Sequence, residues 1–304
     1  MNPVLYQKNY FSALTSNLST RSERAAQGLL SLGNPHLRQF LHDQLTASPG
    51  TPGAWLADPV FEPTFGWEES NETMSSLAGG NLLHQRLARA MESPPKDLAQ
   101  EYAFPSNRHP FSHQLAAWKI LNSSEPQSLV VTSGTGSGKT ECFLVPVLNH
   151  LAKEIDSGED QEGVRALFIY PLNALINSQQ NRLDAWTDGF GGQIRHCLYT
   201  GALENERKVS DQQYKGQVID RKSLRERPPQ LLVTNATMLE YMLIRKEDEP
   251  ILQKSAGKLQ WIILDEAHTH IGSQAAEMAL LLRRVMLAFQ GTPQGVRFVA
   301  TSAT

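Results

Sequence analysis

Two short runs of residues have types and spacings that could do chemistry on a phosphate. The first is Ser133-Gly134-Thr135-Gly136-Ser137-Gly138-Lys139-Thr140. Glycine at alternate positions lets a backbone curl until its N–H groups converge on an anion. Lys139 could then reach the β- and γ-phosphates of a nucleotide, and Thr140 could offer its hydroxyl to Mg²⁺. The strict phosphate-loop pattern begins with Gly, where Ser133 stands here. The second run, 125 residues further on, is Leu264-Asp265-Glu266-Ala267-His268. Adjacent carboxylates closing an apolar run would be costly to bury without a cation. Asp265 suits a Mg²⁺ ligand acting through water, and Glu266 suits a group that polarises an attacking water. His268 and His270 lack both the H-E-x-x-H spacing and a third ligand. His268 fits a link between two ligand sites, and His270 fits an ordinary surface position.

Such residues must be held by a scaffold, and the pattern around them predicts one. Apolar runs at Leu129–Thr132, Ala166–Tyr170, His196–Tyr199, Leu231–Thr234, Trp261–Asp265 and Phe298–Thr301 are short and apolar on both faces, as buried parallel strands are. Helical spacing separates them, clearest over Lys139–Ile155, Asn173–Trp186 and Ser273–Phe289, with Pro146 inside the first. Strand–helix alternation predicts an α/β fold with a parallel sheet flanked by helices. The first run of interest then joins a strand to a helix start, and the second ends a strand, where open α/β sheets bind ligands. Before residue 105 strand-like runs are absent. Helical spacing appears over Leu29–Leu45 and Asn81–Met91, Ser48–Glu72 reads as an irregular packed loop, and Ser93-Pro94-Pro95 as a linker. The expected division is a mostly helical accessory region, 1–104, and a nucleotide-binding domain, 105–304.

Composition bounds the alternatives. An apolar fraction of 40% supports a real core, and a net charge of -3 carries no global basic signal for nucleic acid. The excess acid lies in residues 1–104, with 7 Lys and Arg against 10 Asp and Glu. Met1–Tyr10 lacks the apolar centre of a secretory signal, and Met278–Phe289 is too short and too charged for a membrane span. Cys142 and Cys197 sit in no C-x-x-C, so they read as buried apolar side chains in a chain suited to a reducing cytoplasm.

With these residues in order along the chain, residues 104–304 resemble a superfamily 2 DEAD/DEAH-box-like helicase, specifically its first RecA-like domain. Phe111-Ser112-His113-Gln114 resembles the segment that recognises adenine, with Gln114 reading its edge. Thr132–Glu141 is similar to motif I, Tyr170–Leu175 to motif Ia, and Asp265–His268 to motif II. Ser302-Ala303-Thr304 is similar to motif III, in which Ser302 and Thr304 would couple hydrolysis to strand movement. Thr200-Gly201 and Thr234–Leu239 resemble the remaining strand-contacting motifs. The resemblance implies ATP and Mg²⁺ as cofactors and a nucleic-acid partner, DNA rather than RNA. It implies strand contacts at Asn173, Thr200, Gly201, Thr234 and Asn235, residue types that also cap helices. Within the superfamily, T-N-A-T-M-L-E-Y-M-L and the long run after D-E-A-H are similar to large bacterial helicases with a long C-terminal extension. That group includes repair helicases of the RecQ-like type and helicases of anti-phage defence islands. F-E-P-T-F-G-W-E fits the defence type.

The same resemblance implies a second RecA-like domain carrying an arginine finger, which this sequence does not contain. The expectation is weak binding of Mg·ATP and very little turnover by this chain. The alternative is an ATP-dependent switch for protein partners, which the acidic N-terminal region could serve. The charged segment Arg207–Arg227 reads as a solvated helical face, with a backbone-contacting insertion as its alternative.

Overall fold

The computed structural model describes residues 7–30, 32–52, 54–57, 66–125 and 127–303. They form two compact units that divide between Gly66 and Trp67. In the first, α1 (Gln7–Leu30) and α2 (Pro35–Leu45) are separate helices. The break inside the predicted Leu29–Leu45 helix has a local cause. The Asn34 side chain accepts from the backbone N–H groups of His36 and Leu37, and Pro35 starts the next helix where its missing N–H is not needed. Glu23 meets His42 across the pair at 2.5 Å. The described part of Ser48–Glu72 is irregular, and Glu69 forms an isolated bridge with Phe111.

The second unit begins at Trp67 and is built on a parallel sheet. In chain order its elements are α3 (Met74–Gly79), α4 (Gln85–Glu92), α5 (Ala99–Tyr102), α6 (Ser112–Leu121), β1 (Leu129–Thr132), α7 (Lys139–Asp156), β2 (Ala166–Ile169), α8 (Asn173–Thr187), β3 (His196–Leu198), α9 (Arg221–Glu226), β4 (Leu231–Thr234), α10 (Ala236–Ile244), α11 (Glu249–Lys254), β5 (Trp261–Leu264), α12 (Ser273–Ala288) and β6 (Arg297–Ser302). The strand order is β1-β6-β5-β2-β4-β3. Each neighbouring pair is parallel, so every connection must cross a face of the sheet, and helices occupy both.

Residues alternate between the two faces with period two. Ala166 and Phe168 of β2, Leu231 and Val233 of β4, and Trp261 and Ile263 of β5 join one core with α3, α4, α6, α7 and α8. Leu167, Leu232 and Ile262 join the other, with α10 and α12. Burial on both faces is what the continuous apolar runs demanded. β1 departs from that expectation: as an edge strand it leaves Val130 68% exposed.

The expected boundary near residue 104 marks where strands begin, but the compact unit reaches back to Trp67. Met74, Leu77, Leu83, Leu87, Met91 and Phe104 lie in the same core as Phe168 and Trp261. Ser93-Pro94-Pro95 therefore turns the chain between α4 and α5 inside one unit, with Pro94 buried. Asn149, fully buried in α7, anchors this stretch by accepting from His84 N–H at 2.6 Å and donating to Leu82 O at 3.1 Å. α7 runs through Pro146 without a break.

The segment Arg207–Arg227 is not one helical face. It is irregular up to Asp220 apart from a short turn, and only α9 is helical. Arg221 is buried and donates to Leu203 O and Thr200 O, while Arg225 pairs with the fully buried Asp248. Both cysteines are buried, and burial pushes each thiol up to about 12, leaving neither as a thiolate at neutral pH. No helix among the described residues is long and apolar enough to cross a membrane.

Candidate functional site

Parallel strands put all their carboxyl ends along one edge. β1, β6 and β5 are neighbours there, so the residues that follow them meet although the sequence separates them widely. Ser133 N–H donates to Ser302 O at 3.2 Å, which joins the glycine-rich loop to the end of β6.

The loop between β1 and α7 is shaped by two glycines. Gly136 has φ 78° and Gly138 φ 75°, a region that L side chains rarely adopt. A Cβ at Gly138 would also sit 2.3 Å from the Gln114 amide nitrogen. Ser133 and Ser137 share a hydroxyl hydrogen bond of 2.6 Å. The His113 ring meets Ser137 O at 2.9 Å. Lys139 lies inside the curl and donates to Ser133 O and Gly134 O at 2.9 and 3.1 Å. Trp67 packs against Gly134, its ring 3.4 Å from where a Cβ would stand, and meets His113 edge-on.

Gln114 is 3% exposed. Its amide oxygen accepts from Phe111 N–H at 3.0 Å, and its amide nitrogen donates to Gly138 O at 3.1 Å. Here the side chain braces the loop against the start of α6.

Asp265 follows β5 and lies under the loop. Removal from water raises its pKa. The Thr301 hydroxyl opposes that shift by donating to the carboxylate, and the neighbouring Glu266 charge adds to it. Thr301 also accepts from Glu266 N–H at 3.1 Å, so one hydroxyl in β6 holds both acids. Glu266 itself has φ 51°, a left-handed conformation that is uncommon outside glycine. One of its carboxylate oxygens is buried without a hydrogen bond. His268 stands 3.3 Å from that oxygen and 3.2 Å from the Ser302 hydroxyl, bridging the ends of β5 and β6. Thr304 lies outside the described residues.

A cleft of about 440 Å³ gathers Thr135, Gly136, Gly138, Lys139, Thr140, Asp265 and Glu266 at one end. Tyr102, Phe104, Arg108 and Arg182 line the rest of the same cleft. The donor set fits Mg²⁺, which binds through one or two carboxylates plus phosphate oxygens rather than an all-protein cage. The Glu266 oxygen, which accepts no hydrogen bond and faces only the His268 ring, and the raised Asp265 leave room for a cation, as that fit requires.

The five strand-contact candidates divide by burial. Asn173 and Gly201 are exposed and Asn235 is partly so. Asn235 caps α10 by accepting from Met238 N–H and also donates to Asn173 at 2.7 Å. Thr234 is fully buried and donates to Tyr199 O at 2.7 Å, tying β4 to the end of β3. Thr200 is 7% exposed and closes a tight turn through Ala202 N–H. The last two therefore position the edge and do not face it with their side chains.

Two residues around the cleft, Thr301 and Arg182, escaped sequence reading, and Trp67 was read only as part of F-E-P-T-F-G-W-E. Arg182 reaches Glu141 at 3.4 Å, linking α8 to the start of α7. Only the position of Thr301, at the strand end just before Ser302, could have drawn attention to it.

A six-stranded parallel sheet with a phosphate loop after one edge strand, and two acids after a strand two places away, defines a phosphate-loop nucleotide-binding domain of the RecA-like kind. The model of the DEAD/DEAH box helicase family matches residues 111–304. The chain belongs to the DEAD/DEAH box helicase family. Among curated proteins it is similar to Druantia protein DruE of Escherichia coli, 26% identical over 345 residues that cover 82% of this chain and 18% of DruE. Among solved structures it is similar to the DUF1998 helicase MrfA bound to DNA and AMPPNP, with TM-score 0.54 and 21% identity over 78% of this chain and 27% of MrfA. The DEAD-box helicase Mss116 bound to ssRNA and UDP-BeF gives TM-score 0.55 and 18% identity over 78% of this chain and 42% of Mss116. At these identities the two structures speak for the fold. The chain spans about a fifth of the length of DruE.

Proposed function

We propose that this chain is the ATP-binding part of an ATP-dependent nucleic-acid helicase or translocase, with DNA as its strand. The observation that carries the reading is the meeting of Lys139 and Thr140 with Asp265 and Glu266 in one cleft. In it Lys139 exchanges the carbonyls of Ser133 and Gly134 for phosphate oxygens, and the loop's N–H groups turn toward the β-phosphate. Thr140 and Asp265 would hold Mg²⁺, which would supply charge neutralisation at the phosphates. Glu266 orients water, and His268 and Ser302 carry the state of the nucleotide to the strand-facing edge. Asn173, Gly201 and Asn235 touch the sugar–phosphate backbone there, while Thr200 and Thr234 hold the loops that do so. The MrfA structure, which holds DNA, is what favours DNA here. Turnover by this chain alone is expected to be slight, because the transition state of phosphoryl transfer needs a further positive charge from a second domain.

The test is titration of the chain with a fluorescent ATP analogue and Mg²⁺, beside Lys139→Ala. Saturable binding that weakens by roughly two orders of magnitude in the variant supports the reading, since each charge-assisted hydrogen bond contributes about 1.5–3 kcal/mol. Equal binding by both folded proteins overturns it. Salt-dependent binding of single strands separates a strand motor from a switch for protein partners.

A further inference from the structure

The carboxyl edge carries a second concavity, larger than the nucleotide cleft. From Asn173 and Asn235 a groove of about 720 Å³ extends between α10 and α12. Its walls are apolar, formed by Leu172, Ile244, Met278 and Leu281, and Leu172 and Ile244 are 62% and 69% exposed. Apolar side chains left so open beside a polar rim mark a place where something else packs. Two tyrosines line it: Tyr170 is 1% exposed, whereas Tyr241 is 42% exposed, with the Arg245 guanidinium 4.5 Å from the ring centroid.

The charges in the groove decide what that is. No Lys or Arg lines it, whereas Glu240 and Glu277 do. Glu240 is engaged by Arg284, and Glu277 has no ion-pair partner among the described residues. A phosphate inside would meet the uncompensated Glu277 carboxylate. A nucleobase would not: its faces are flat and apolar, and its exocyclic amines and ring N–H groups are donors that a carboxylate accepts. The rim of the groove is formed by Asn173 and Asn235, neutral amides suited to backbone contact.

We infer that the groove between α10 and α12 is a nucleobase subsite, in which Tyr241 stacks on a base while its phosphates stay on the Asn173–Asn235 rim. The inference rests on the nucleic-acid reading above. It adds a stacking contribution to a protein whose net charge offers little electrostatic attraction. Glu277, at the far wall, favours bases that present an amine.

The test compares a single-stranded DNA with the same strand carrying abasic positions, on the unaltered chain and on Tyr241→Ala and Tyr241→Phe, across a series of salt concentrations. The unaltered chain is expected to bind the intact strand about tenfold tighter or more than the abasic one, the range typical of one aromatic–base stack. Tyr241→Ala is expected to lose that preference with the slope of log affinity against log salt unchanged, because no phosphate contact has been removed. Tyr241→Phe keeps the stacking face and is expected to stay within about twofold of the parent. A Tyr241→Ala protein that still prefers the intact strand overturns the subsite and leaves the groove to a protein segment. A salt slope that falls with affinity also overturns it, since Tyr241 would then be supporting a phosphate contact. If the unaltered chain binds neither strand at any salt, the nucleic-acid reading itself fails.

Discussion

Asp265 and Asp184 are both carboxylates withdrawn from water beside the same sheet, and the protein treats them in opposite ways. Asp184, 1% exposed in α8, is met by the His196 ring at 3.0 Å and by the Gln217 amide at 2.9 Å. The other His196 nitrogen faces Thr187 at 3.4 Å. This polar cluster ties α8 to the edge strand β3 and to the irregular segment after it. Asp248 is satisfied in the same manner by Tyr199 at 2.6 Å and Arg225 at 2.8 Å. Asp265 has one hydroxyl donor, Thr301, and a like charge at its side in Glu266, whose buried oxygen faces the half-exposed His268 ring at 3.3 Å. A buried acid with donors fitted around it holds a structure together. A half-buried acid with a like charge beside it, next to a left-handed residue at the mouth of a cleft, has the pattern of a ligand site.

The contrast can be broken most decisively at Asp184. Asp184→Ala strands the His196 and Gln217 donors inside the fold and is expected to destabilise the protein by about 3 kcal/mol or more, read by urea unfolding. Nucleotide affinity of the folded fraction should not change. If stability were retained, the cluster would not be structural and the comparison would fail. Gly138→Ala comes next. Its positive φ and the approach to Gln114 are expected to cost roughly 1–3 kcal/mol of stability. Unlike Asp184→Ala, it should also weaken nucleotide binding, because the loop must shift to make room. The smallest effect has the opposite sign. Asp265→Asn removes a charge whose ionised form burial disfavours, so the nucleotide-free protein should gain about 1 kcal/mol, in the manner of stabilised active sites. In a domain of this size that is a rise of about 2–4 °C in Tm. The same variant should lose the Mg²⁺ dependence of nucleotide binding. A fall in melting temperature would make Asp265 a structural acid like Asp184.

Legibility in the chain followed the same divide. The phosphate loop and the Asp265–Glu266 pair could be read because a few residue types at fixed spacing suffice for their chemistry. The strands could be read nearly residue by residue, since burial on both faces leaves only apolar choices at Ala166–Ile169 or Leu231–Thr234. Asp184, His196 and Gln217 gave no such signal. Each is an unremarkable polar residue until three separate elements bring them together. Thr234 and Thr200 are ambiguous for the complementary reason: a hydroxyl at a strand end can face a ligand or tie two strands, and the sequence is the same in both cases. The break at Asn34 was encoded locally in Asn-Pro, but the apolar spacing running through it concealed the cap.

By itself, then, the sequence marked the glycine-rich loop and the acid pair and determined the α/β class and nearly every strand, because these depend on local residue type and short-range period. Tertiary structure alone decided the rest. It made β1 an edge, brought Thr301 under both acids, drew residues 67–104 into the core of the sheet and opened a groove beside Tyr241. Each of these depends on which elements become neighbours, and that is settled by packing between residues far apart in the chain, where no local pattern reaches.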